Sequence, residues 1–86
     1  MAKSFRTDLL PLFRAIDIGH MKPHGVLLDD YVFMSNARGD GKFPDHANAR
    51  RVFDSLATEW MPLGGPYWSA EQLSSFQQWM DDGFQP

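Results

Sequence analysis

Three histidines, eleven carboxylates and no cysteine bound the chemistry open to this 86-residue chain. Asp17 stands shortly before His20, near enough for the carboxylate to orient the imidazole or raise its pKa. For an Asp–His pair in a loop, a plain surface hydrogen bond is the default expectation. His20 and His24, followed by Asp29 and Asp30, offer nitrogen and oxygen donors of the kind that hold zinc. The two histidines meet only on a continuous helix, however, and Pro23 between them is expected to interrupt one. His46 can join them only through tertiary structure. The stretch Asp40-Gly41-Lys42-Phe43-Pro44-Asp45 faintly resembles a calcium loop, yet it lacks the alternate oxygen ligands and the closing glutamate. A turn followed by a helix cap explains it better. No thiol, serine elbow, glycine-rich phosphate loop or paired histidine–carboxylate motif is present, so no catalytic residue is assigned.

Composition narrows the field further. Without cysteine the chain forms no disulfide, thiolate metal site or iron–sulfur cluster. Its length suits one domain, residues 1–86, with a core of modest depth. Seven Phe, three Trp, two Tyr and five Met supply the bulk that such a core needs without a crosslink. The net charge is −3 and no basic stripe stands out, which argues against nucleic acid and anionic membrane surfaces as partners. The opening residues 1–8 show no apolar run before charge returns, and no later run reaches membrane-spanning length. The expected location is cytoplasmic.

The elements that must position these residues are helical, since 3.6-residue periods dominate and no alternating β-branched run suggests a sheet. A first helix is expected from Ser4 or Thr7, with Leu9, Leu10, Leu12 and Phe13 inward and a break or kink at Pro11. Residues 19–25, with Gly19, Pro23 and Gly25, suggest irregular chain. A second helix is expected from Leu28 or Asp29 to about Ala37. Asp45 is expected to cap a third, running to about Trp60 with Ala49, Val52, Phe53, Leu56 and Trp60 on one stripe. On that helix Arg51 is expected nearer the core boundary than Arg50. Pro62 stops it. Ser69 and Gln72 form a capping-box pattern that opens a last helix. Leu73, Phe76 and either Trp79 or Met80 are expected to make its inner face, Gly83 closes it, and Phe84 can fold back on its last turn.

The order Ile16-Asp17-Ile18-Gly19-His20, Met61-Pro62, Trp68-Ser69, then Gln78-Trp79-Met80-Asp81-Asp82-Gly83 resembles a small c-type cytochrome domain. In that family a Cys-x-x-Cys-His signature attaches haem, a Met-Pro turn supplies the second axial ligand, and the last helix ends near Trp-Ile/Val-Asp-x-Gly. The resemblance runs from about Leu9 to Gly83 and is strongest in the C-terminal third. It departs at the attachment site, where Ile16 and Gly19 stand in the cysteine positions and only His20 is kept. The implied fold is all-α, a small cytochrome c-like bundle of about four helices with long loops. The implied cofactor-binding residues are His20 and Met61, an imidazole–thioether axial pair, and they serve that role only if haem is bound non-covalently. The simpler use of the pair is structural: His20 bonded to loop carbonyls and Met61 filling a core gap.

A scaffold of this kind without its cofactor must either collapse around larger side chains or keep a pocket. Ile16 is expected to contribute to apolar filling, together with Phe33, Phe43, Phe53, Trp60, Trp68, Phe76 and Trp79. Three functions follow as expectations. The first is a haem-free cytochrome c-like module, without cofactor, acting through a protein partner as an accessory subunit, with Tyr67 and Trp68 as interaction residues. The second is an electron-transfer protein with non-covalent haem between His20 and Met61. The third is a small-molecule or catalytic pocket in the former haem cavity, using Asp17 or His20 as acid–base groups.

Overall fold

Ser69 and Gln72 open the last helix by exchanging hydrogen bonds: Gln72 N–H donates to Ser69 Oγ at 3.2 Å, and Ser69 N–H to Gln72 Oε1 at 2.8 Å. The computed structural model describes residues 2–59, 61 and 66–86. Among the described residues there are four α-helices, α1 (Ala15–Met21), α2 (Tyr31–Met34), α3 (Ala47–Ala57) and α4 (Ala70–Asp81), preceded by a wide π-type turn at Phe5–Leu9. Among the described residues there is no strand, only an isolated parallel bridge between Ser4 and Gln85. The protein is all-α.

The end of α4 follows from Gly83. Its φ of +95° lets the chain reverse, so that Gly83 N–H donates to Met80 O and Phe84 N–H to Trp79 O, both at 3.1 Å. Phe84 thereby returns to the helix and packs edge-on against Trp79 with ring centroids 5.1 Å apart. Phe76, Trp79 and Met80 are buried along the inner face, and Leu73 is half-buried, as the period requires.

α3 buries the expected stripe of Ala49, Val52 and Leu56 and half-buries Phe53. Its start differs from expectation. His46, at φ +46°, occupies the cap position, while the Asp45 carboxylate turns to His46 Nδ1 at 2.6 Å and Arg50 at 3.0 Å. The His46 ring stacks on Phe84 with centroids 3.7 Å apart and the ring planes almost parallel, 3° apart. A contact with the C-terminal segment therefore sets this helix start, which local capping rules do not foresee. Arg50, held by Asp45 and lying over the Phe84 ring, is the more buried of the two arginines; Arg51 is the more exposed, the reverse of the expected order. The helix ends at Ala57, earlier than expected, with Glu59 at φ +65° turning the chain; Trp60 lies outside the described residues.

α2 is a single turn rather than the longer helix its sequence suggests. Asp30 caps it, accepting from Val32 N–H at 2.9 Å and Phe33 N–H at 3.4 Å. Beyond Met34 the chain leaves the helix, and the carbonyls of Ala37 and Arg38 accept from His46 and Ala47 N–H. The 40–45 segment is a turn, with Asp40 accepting from Lys42 and Phe43 N–H at 2.9 and 2.8 Å.

At the N-terminal end Ser4 caps the first turn by accepting from Thr7 N–H, and Pro11 sits in a short 3₁₀ turn, Leu10–Leu12, that breaks the helix as expected. The segment expected to be irregular is helical. α1 runs through Gly19 and His20 to Met21, and a 3₁₀ turn, Lys22–His24, follows directly. Pro23 is accommodated because it falls at the start of that turn, where no N–H is needed.

These elements enclose one core. Phe76 is its centre, fully buried against the rings of Phe53, Trp79, Trp68 and Phe13 at 5.4, 6.0, 6.1 and 6.3 Å. The two chain ends are tied across it: Phe5 N–H donates to Gln85 O at 2.9 Å, and Trp79 Nε1–H to the same oxygen at 2.8 Å. The Cα radius of gyration, 12.0 Å, is that of a compact chain of this length. No helix among the described residues is long and apolar enough to cross a membrane.

Candidate functional site

His20 comes from the last turn of α1, and Met61 from the chain beyond α3, where its N–H donates to Ser55 O at 3.1 Å. Distant in sequence, the two side chains line one cleft with Phe13, Asp17, Met21, Leu28, Leu56 and Trp68. His20 is exposed at its mouth, whereas Met61 is buried with 9% of its surface accessible. The fold thus brings together the pair that sequence order singled out.

The space between them is small. The whole cleft, open mouth included, encloses about 300 Å³, but the room for the centre of a water molecule is about 10 Å³. That is one water. Leu28 and Leu56 form its floor and are fully buried in the core. With these walls in place, the enclosed room between the residues that line the cleft is that of a single water.

The carboxylate in the cleft is already engaged. Arg14 Nε and one terminal nitrogen donate to the two Asp17 oxygens at 2.7 and 2.9 Å, a two-pronged pair that raises the arginine above its ordinary pKa. Asp17 therefore serves Arg14, a partner that spacing to His20 did not suggest. His20 and His24 lie closer than expected, with ring centroids 6.1 Å apart, because the helical path continues through Pro23. Among the described residues, no three His, Cys, Asp or Glu side chains are arranged to hold a metal.

Of the two expected interaction residues, Tyr67 is half exposed at 50%. Trp68 is half-buried, with its indole over Phe13 at 5.2 Å and Phe76 at 6.1 Å. Ile16 does not fill the interior: it is 72% exposed on the outer face of α1, so the core closes without it. Ile16 and Tyr67 directly precede Asp17 and Trp68, both cleft-lining residues, so the segments that form the cleft also carry exposed apolar side chains. Met21 is the cleft residue that no motif pointed to; its adjacency to His20 was the available signal. A second, mostly apolar cleft of about 100 Å³ lies on the other side of Met21 and Met61, lined also by Val26, Phe33, Asn48, Arg51, Val52 and Ser55.

No protein-family model, curated protein or solved structure matches this chain.

Proposed function

We propose that this chain is a cytochrome c-like helical module that carries no haem and works in the cytoplasm through contact with a protein partner. The observation that carries the reading is the cleft itself: His20 and Met61, at the positions of the family's two axial ligands, line one cleft whose enclosed room is that of a single water. On this reading the exposed Ile16 and Tyr67 supply the contact surface, because large apolar groups at a surface gain most from being covered. Trp68, half-buried against Phe13 and Phe76, ties the neighbouring backbone to the core rather than serving as a free anchor.

Absorbance from 300 to 700 nm, on protein purified from haem-supplemented cells and after hemin addition, tests the first half of this reading. The expected spectrum is featureless above the aromatic band. A Soret band that changes with Met61→Ala would establish the second reading instead, non-covalent haem between His20 and Met61, which the sharing of one cleft by the two residues favours. The second half is tested by affinity capture from extracts of the source cells. A partner retained by the wild-type chain and lost with Ile16→Glu or Tyr67→Glu is expected, and equal retention by the variants would remove this face from consideration.

A further inference from the structure

We propose that the cleft binds a single soft monovalent cation, Cu(I), through the imidazole of His20 and the thioethers of Met21 and Met61. The site goes beyond the interaction reading and does not rest on it, since neither Ile16 nor Tyr67 is among the donors.

Four observations converge. The donor set is one nitrogen and two thioether sulfurs, and thioether ligands select Cu(I) over harder ions. The room is right for one ion: a volume that admits a single water's centre suits a monatomic guest. The carboxylate in the cleft is paired, because both Asp17 oxygens accept from Arg14, so a hard divalent ion would have to compete with the guanidinium for it. Finally, Met21 and Met61 have space to aim their sulfurs. Both also border the second cleft of about 100 Å³, and an unbranched methionine with room on its far side changes rotamer without disturbing the core. His24, 6.1 Å from His20, offers the competing alternative of a two-histidine site outside the cleft, which would prefer Zn(II) or Cu(II).

Anaerobic titration of the full chain with ascorbate-reduced copper against bathocuproine disulfonate, paired with Ag(I) as a redox-inert probe in methyl NMR, distinguishes these. One equivalent is expected to bind, shifting the methyl signals of Met21 and Met61 and the His20 ring while the buried Met34 and Met80 stay in place. His20→Gln, Met21→Leu and Met61→Leu are each expected to weaken Cu(I) by roughly tenfold or more. Ile16→Glu should leave the affinity unchanged, which separates this site from the partner surface. Shifts confined to His20 and His24, displacement by equimolar Zn(II), or unmoved Met21 and Met61 methyl signals would each overturn the proposal. The wild-type methyl spectrum separates these outcomes even where Met61→Leu does not fold.

Discussion

Asp40 is the most strongly perturbed carboxylate described. Backbone N–H bonds from Phe43 and Lys42, then the pairing with Arg51, favour its charged form and lower its pKa from 3.8 to about 2. A depressed folded-state pKa stabilises the fold above the unfolded value, and that contribution disappears as pH falls through the folded one. Asp45, lowered by His46 and Arg50, and Asp82, lowered by the Lys3 N–H and the Gln78 side chain, act with the same sign. Stability is therefore expected to fall between about pH 4 and pH 2. Asp40→Asn keeps an oxygen for the two N–H groups but loses the arginine pair, so its stability should decline less steeply over that interval. Urea unfolding at several pH values, with a carboxyl NMR titration placing the Asp40 midpoint near 2, checks this. Ile16→Glu, at an exposed helical position, should change stability by no more than about 0.5 kcal/mol. Thermal unfolding of the variant decides whether any loss of partner binding reflects contact rather than folding.

The elements owe their ends to unequal causes. α4 is bounded by local chemistry at both termini, so its caps can be removed one at a time. Ser69→Ala deletes the side-chain acceptor for Gln72 N–H and should cost about 1 kcal/mol. Gly83→Ala places a Cβ at φ +95°, a conformation costing an L-residue roughly 1–2 kcal/mol, while the nearby Gln85 amide is a flexible end that can give way. Both costs are read from urea midpoints, and they should add, since the two ends share no partner. α3 is different: its start depends on the His46–Phe84 stack, with both residues at positive φ, 46° and 58°. Such a conformation in bulky side chains persists only where surrounding contacts hold it. Tyr31 Oη–H donating to Phe84 O at 2.7 Å is one of those contacts, and it couples α2 to the same point.

For the whole molecule, the aromatic centre carries the stability that a disulfide supplies in other small domains. Phe76→Ala removes a fully buried ring touching four others and should cost about 3–5 kcal/mol, against a total of about 5–15 for a domain of this kind. Loss of the near-UV circular dichroism signal at moderate urea is the expected readout, and a midpoint close to wild type would show that the centre repacks. Features that depend on neighbours along the chain were legible from the residues alone: the all-α character, the α3 stripe, and both caps of α4 down to the return of Phe84. Each follows from periodicity or from side chains within a turn of the backbone groups they satisfy. Where local rules met a distant contact they failed, as at Asp45 and His46, at Ala37, and at Pro23, whose place in a 3₁₀ turn depends on how α1 ends. The candidate site divides in the same way. The types and order of His20 and Met61 stood in the chain from the start. Their meeting in one cleft, the enlistment of Met21, the commitment of Asp17 to Arg14 and the outward turn of Ile16 were settled by packing. Helix orientation chooses which face meets the core, and only the assembled core sets how much space it leaves.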